Sequence, residues 1–344
     1  MKKNVKIAGK IIGDKNPTYI IAEIGSNHNK DLKIAKKMIA KAAEAGVDAV
    51  KFQTFKAEKL YSKNTPKFSK DSVKPFDLIK SIEMPRDWHK KLKDYSDKKG
   101  VDFISSPFDF DAVDELDEVG VPAFKIASFE LVDLELLKYT ARKGRPIILS
   151  TGLANIEEIK EAIKAIRSEK NDDIILLHCN SLYPSPADVV NLNAIETMSK
   201  MFRIPIGFSD HSLGYHIPVA AVAKGAKIIE KHFTLDRKMK GPDHHFAIEP
   251  DELKQMVKQI RDVELSLGDG VKKPSKKEKE MIEKGRRSII ALKDIKKGTK
   301  ITRDMLIVKR PGYGIKPKFI SKVVGKNAKK NIKADQWITY KDIK

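Results

Sequence analysis

Two histidines carry the strongest chemical signal in this chain of 344 residues. His211 closes the run Gly207-Phe208-Ser209-Asp210-His211, and His232 closes Ile228-Ile229-Glu230-Lys231-His232. Each follows a short apolar, β-branched segment, so neighbouring parallel strands would bring both imidazoles to one side of one pocket. Two nitrogen donors without thiolates suit a divalent metal and leave positions open for water or substrate oxygen, as Lewis-acid catalysis at a carbonyl requires. The same spacing also fits a pair of hydrogen-bonded core histidines. His28, His244 and His245 are further candidate ligands.

A second set of residues is suited to anions. Lys51 and Lys125, with Ser105, Ser106, Ser128, Ser150 and Ser209, describe a cationic, hydroxyl-lined site for a phosphate and a carboxylate. A single buried lysine could instead form a Schiff base, which keeps a class I aldolase open as an alternative. Glu23 is the nearby carboxylate, available for proton transfer or for holding a sugar hydroxyl, or else a structural partner of one lysine.

These residues share one position in a repeating pattern. Short β-branched runs at 19–24, 49–52, 102–105, 123–126, 147–150, 174–179, 206–208 and 228–232 alternate with amphipathic stretches. Helices are expected at 31–45, 85–99, 109–119, 156–169, 217–224 and 250–267. Eight βα units over about 250 residues predict an α/β fold, a closed (β/α)8 TIM barrel, whose reacting groups sit at the C-terminal strand ends. Every expected strand does end in polar residues: Glu23, Lys51 with Gln53, Ser105-Ser106, Lys125 with Ser128, Ser150-Thr151, Asn180-Ser181, Ser209-Asp210-His211 and Lys231-His232. Residues 54–84 are too long for a simple βα loop and are expected to form a lid. Val5–Ile12, followed by Gly13-Asp14, looks like a hairpin arm plugging the lower mouth. The barrel with its hairpin is expected over 1–268, a charged linker over 269–284 and a small, mostly β domain over 285–344. Strand-like runs at 287–291, 305–309 and 337–340, and an echo between 293–298 and 330–335, mark that domain.

Composition sets limits. The only cysteine, Cys179, lies in an apolar run and reads as a buried small hydrophobe. No run near about 18 apolar residues occurs, so a soluble, cytoplasmic protein without a membrane partner is expected. The net charge of +21 admits nucleic acid, an acidic surface or an anionic small substrate. With no zinc-finger, KH or RRM signature, no nucleic acid partner is expected.

The motifs then become specific. Ile21-Ala22-Glu23-Ile24-Gly25-Ser26-Asn27-His28, Lys51-Phe52-Gln53, Lys125-Ile126-Ala127-Ser128, Leu149-Ser150-Thr151-Gly152, Gly207-Phe208-Ser209-Asp210-His211, Glu230-Lys231-His232-Phe233-Thr234 and Gly241-Pro242-Asp243-His244 resemble, in order, the motif series of the N-acetylneuraminate (sialic acid) synthase family. Val308-Lys309-Arg310-Pro311-Gly312 resembles that family's C-terminal antifreeze-like (SAF) domain. The resemblance implies condensation of phosphoenolpyruvate with an N-acetylated amino-sugar aldehyde, N-acetylmannosamine or a diacetamido sugar of the legionaminic or pseudaminic branch. It implies Mn2+, or else Co2+ or Mg2+, on His211 and His232. Phosphoenolpyruvate would be held by Lys51, Ser106, Lys125, Ser128, Ser150, Ser181 and Ser209. Glu23, Gln53, Tyr183, Asp243 and Arg310 would face the amino sugar, with Arg310 reaching the other subunit of a domain-swapped homodimer. The family often has Thr at the position of Ser106 and Asn at that of Ser181, where Asn180 is a candidate to compensate.

Overall fold

Strand alternation organises the first of two compact units, Met1–Gly268 and Asp269–Lys344, of a computed structural model that describes residues 4–67 and 73–344. Its barrel strands are β3 (Tyr19–Gly25), β4 (Ala49–Thr54), β5 (Asp102–Pro107), β6 (Phe124–Ile126), β7 (Ile147–Ser150), β8 (Ile174–Cys179), β9 (Ile206–Asp210) and β10 (Ile228–His232). They form one parallel sheet in the order β5-β4-β3-β10-β9-β8-β7-β6, and β5 lies against β6 to complete the TIM barrel. The eight strands match the expected runs to within a few residues. Around them stand α1 (Leu32–Ala45), α2 (Ala57–Leu60), α3 (Pro75–Ile82), α4 (Trp88–Lys99), α5 (Phe110–Glu118), α6 (Leu134–Ala141), α7 (Ile156–Ser168), α8 (Asn193–Phe202), α9 (His216–Ala223) and α10 (Pro250–Leu267). Local signals fix several ends. Asp31 caps α1, Asn155 and Glu158 form a capping box on α7, and Glu249 and Glu252 form another on α10.

Two apolar layers follow from the two-residue strand period. Ile20, Ala22, Phe52, Phe103, Phe124, Leu149, Leu176, Phe208 and Ile229 point outward and pack with helix residues such as Met38, Leu116, Ile163 and Met256. Tyr19, Ile21, Ala49, Ile104, Ala123, Ile148, Ile175, Leu177 and Ile228 point inward. They pack with Val5, Ile7 and Ile12 of the hairpin β1 (Val5–Ile7) and β2 (Lys10–Ile12), which closes the N-terminal end of the barrel. The long segment after β4 contains α2 and α3, so it is partly helical; its residues 68–72 lie outside the described residues.

The second unit has its own core of Ile289, Ile295, Ile301, Leu306, Ile332 and Ile338 around the antiparallel pair β11 (Ser288–Ala291) and β12 (Leu306–Lys309). The echoing segments meet there, through an antiparallel bridge between Ile295 and Ile332. Residues 337–340 form no strand, only a bridge from Trp337 to Ile290, flanked by Ile338, whose N–H donates to the Ile289 carbonyl and whose own carbonyl accepts from the Ile315 N–H. The stretch expected as a bare linker carries the exposed helix α11 (Lys279–Gly285), and α12 (Ile320–Val323) lies further on.

Candidate active site

Two residues above the apolar inner layer, the same inward faces turn polar. Glu23, Lys51, Ser106, Lys125, Ser150, Ser209 and Glu230 are all buried at the C-terminal end of the barrel. Lys51 Nζ lies 3.0 Å from Glu23 Oε2, 3.8 Å from Glu230 Oε1 and 3.3 Å from Ser106 Oγ. Lys125 Nζ donates to Ser150 Oγ at 2.7 Å and lies 3.8 Å from the same Glu230 oxygen, which accepts from Ser209 Oγ at 3.0 Å. Glu230 therefore bridges the two lysines. It sits two residues before His232 on one strand face, a spacing that could have revealed it in the sequence.

Burial and neighbouring charge divide the acids. Burial pushes Glu23 up to about 7, with Lys51 pulling the other way. Glu230 is held low because Lys125 and Lys51 outweigh its burial. Burial lowers Lys125, while on Lys51 the attraction of Glu23 and Glu230 exceeds burial and raises it. Glu130, a residue that the motifs did not single out, is raised to about 7 by burial, and its Oε2 is buried without a hydrogen-bond partner.

Beyond β7 the backbone of Gly152 forms a cradle. Its N–H donates to Ser128 Oγ at 3.0 Å, and a Cβ there would stand 2.5 Å from Ser181 Oγ and 2.8 Å from Ser128 Oγ. Ser181 Oγ is buried without a partner, so the cradle offers two hydroxyls, that of Ser128 already accepting the Gly152 N–H. Asn180 turns its amide to the Val189 carbonyl, and its own carbonyl accepts from His211 Nδ1 at 2.7 Å.

As Nδ1–H donates to that carbonyl, the neutral His211 ring carries its lone pair on Nε2, the nitrogen left to ligate. The rings of His211 and His232 are 5.3 Å apart, and His232 Nδ1 is buried without a hydrogen-bond partner, 3.7 Å from Asp243 Oδ2. Burial and the charge of His211 hold the His232 ring well below its ordinary value, so it is neutral and able to ligate. Among the described residues no group of three or more His, Cys, Asp or Glu is arranged to hold a metal ion. The two imidazoles thus fit a metal that takes its remaining ligands from substrate and water. Tyr183 packs on His211 at 4.2 Å between centroids, and Cys179, buried as expected, lies 3.9 Å from His211 Nδ1.

Around Gly25, whose φ of +53° places it in the left-handed region, Glu23, Gln53 and Asp243 converge: a Cβ there would meet all three within 3.6 Å. Gln53 donates to Glu23 at 2.8 Å, and burial lifts Asp243 to about 6. Gln53 and Asp243 line a cavity of about 580 Å³ together with Phe55, Leu60, Tyr61, Leu78, Ile79, Ile82, Phe108, Glu130, Tyr183 and His232.

Several expected site residues point elsewhere. Ser105 faces outward and bonds Thr54 Oγ1 at 2.7 Å, because it sits one residue out of phase with Ser106. Lys231 and Asp210 are likewise on the outer face and pair with each other at 2.5 Å. Thr151 returns its hydroxyl to the Leu177 carbonyl. His28 accepts from the Lys30 N–H and packs on Trp88, His244 is bonded to Thr234 and Asn29, and His245 is exposed, so none of the three joins the histidine pair. Arg310 is exposed at the end of β12 in the second unit.

The NeuB family model matches residues 38–272, and the SAF domain model matches residues 286–344. The chain is 44% identical over 329 residues to an N,N'-diacetyllegionaminic acid synthase of Campylobacter jejuni, covering 93% of this chain and 98% of that one. An N,N'-diacetyllegionaminic acid synthase of Legionella pneumophila is 40% identical over 354 residues, covering 100% of this chain and 99% of its own. Among solved structures, an N-acetylneuraminic acid (sialic acid) synthetase of Leptospira borgpetersenii in complex with citrate superposes with a TM-score of 0.76 at 39% identity, covering 82% of this chain and 96% of that one.

Proposed function

The chain belongs to the NeuB family, carries an SAF module and is a phosphoenolpyruvate-dependent, carbon–carbon bond-forming synthase of the sialic acid type; we propose that its acceptor is the open-chain aldehyde of an N-acetylated amino sugar such as N-acetylmannosamine. The observation that supports this most directly is the buried row of Lys51, Glu230 and Lys125 with its hydroxyls, set beside two imidazoles at 5.3 Å.

In this reading Lys125, Ser150 and the Ser128–Gly152–Ser181 cradle hold the phosphate, while Lys51, Ser106 and Ser209 hold the carboxylate. C3 of phosphoenolpyruvate bonds to the aldehyde carbon, and the aldehyde oxygen takes up the electron pair and a proton. Water adds at the cationic C2 and loses a proton. The bond from C2 to the phosphate oxygen then breaks as the C2 hydroxyl becomes a ketone, releasing phosphate and a nonulosonic acid. A carboxyl near 7 is matched to proton movement at neutral pH, which suits Glu23, beside Gln53 and Asp243 on the acceptor side. His211 and His232 would hold a divalent metal, manganese by family resemblance with cobalt or magnesium as the other candidates, and it would supply Lewis acidity at the acceptor carbonyl. The same resemblance supports a homodimer in which Arg310 serves the partner's acceptor site.

One observation favours a second acceptor. The cavity lining includes the apolar side chains of Phe55, Leu60, Leu78, Ile79, Ile82 and Phe108, with Tyr61 as a single hydroxyl among them, which suits methyl groups, as in a deoxy sugar with two acetamido groups. The test is phosphate release from phosphoenolpyruvate by the manganese-loaded protein, with N-acetylmannosamine, 2,4-diacetamido-2,4,6-trideoxymannose and its altrose isomer offered separately. Chelator-sensitive release with one sugar is expected and names the branch. Release with none of them, from folded and metal-loaded protein, overturns the proposal.

A further inference from the structure

The ion pair between Lys231 and Asp210 has no part in the chemistry above, yet both side chains are 0% exposed. Burying two charges is costly, and a well-packed apolar pair generally serves stability as well or better. Stability alone therefore does not account for it.

Its position does. Lys231 and Asp210 are register partners on β10 and β9, one residue before His232 and His211 respectively. Strand alternation turns the histidines into the barrel and this pair outward. Lys231 Nζ donates to Asp210 Oδ2 at 2.5 Å and also to the Ser212 carbonyl. The Asp210 carboxylate in turn accepts from the Ser212 N–H and the Ser212 hydroxyl, each at 3.0 Å. His211 lies just past the end of β9, where the sheet ladder no longer holds it. The backbone is thus tied on both sides of His211, and to the strand residue that precedes His232.

We propose that Lys231, Asp210 and Ser212 act as a positioning clamp that sets, from outside the barrel wall, the separation and orientation of His211 and His232. The proposal rests on reading those two imidazoles as the metal ligands. Asn180 fixes the rotation of the His211 ring through its carbonyl, and the clamp fixes where the ring starts. A cross-strand tie of this kind keeps the pair at a metal-binding spacing before any metal arrives, so that ordering is not charged against binding.

The decisive measurement is manganese affinity of the full chain without substrate, by competition with a chromophoric chelator, well below the melting temperature. In D210L/K231M the clamp is replaced by apolar side chains. The expected result is about 10- to 100-fold weaker manganese binding with an unchanged or raised Tm. D210N/K231Q keeps amide hydrogen bonds to Ser212 and is expected to recover most of that loss. Unchanged affinity in folded D210L/K231M overturns the clamp, since a purely structural pair would move Tm and leave affinity alone. If that variant does not fold, D210N/K231M decides: it removes the cross-strand tie from Lys231 to Asp210 and to the Ser212 carbonyl without leaving a buried charge, a few-fold weaker binding supports the clamp, and unchanged affinity overturns it. Manganese binding that survives in H211A/H232A would overturn the ligand reading instead.

Discussion

The lower and upper halves of the barrel interior are built by the same strands, two residues apart, and they do opposite work. Ile21 is followed on its face by Glu23, Ala49 by Lys51, Ile104 by Ser106, Ala123 by Lys125, Ile148 by Ser150 and Ile228 by Glu230. The lower layer buries aliphatic groups against the hairpin and stabilises the fold. The upper layer holds charges and unpartnered polar atoms in the same protein interior, which costs stability and leaves them ready for a ligand. One step along a strand pair separates the part that makes the barrel from the part that uses it.

Substitutions in the two layers should separate activity from stability. The largest effect is expected at the histidines: H211A/H232A should lose at least about 10³-fold in phosphate release while Tm changes little. A comparable loss in Tm would mean that the pair holds the fold. Below it, Ile148→Ala should cost about 2–5 kcal/mol in urea unfolding with kcat nearly intact; a fall in kcat without loss of stability would erase the division between layers.

A smaller effect tests the cost of charge in the upper layer. The Glu130 carboxyl titrates at about 7 in the folded protein against 4.5 as its ordinary value. Its bound proton therefore favours the fold fully below pH 4.5, and that contribution is lost as pH rises through 7. Of the difference in urea unfolding between pH 5 and pH 8, to which Glu23 and Asp243 also contribute, Glu130→Gln should remove up to roughly 3 kcal/mol. An undiminished difference in the variant would assign it to other groups. The smallest effect is expected at the cavity wall. Ile79→Ser should shift kcat/KM between the diacetamido-deoxy sugar and N-acetylmannosamine by about tenfold toward the latter. No change in that ratio would remove the wall from acceptor selection.

Much of this was legible in the sequence because it is local. The run of eight apolar segments with polar ends follows from strand period and burial, and the motif series ties Glu23, Lys51, Lys125, His211 and His232 to one end of the barrel. What stayed hidden depended on phase and on distance. Ser105 and Ser106 are equivalent on paper, yet one residue of phase puts the first against Thr54 and the second against Lys51. Glu130 is an ordinary glutamate until the packing around it removes water.

The barrel, the order of its strands and the kinds of groups at their ends can be read along the chain, because side-chain period and hydrophobic burial act within a few residues. That Glu230 joins two lysines from β4 and β6, that Gly152, Ser128 and Ser181 form one cradle, and that Lys231 and Asp210 meet outside the wall emerges with the folded chain alone. Hydrogen bonds and charge pairs act over about 3–4 Å between segments far apart in the chain, and only closure of the barrel brings them within that range.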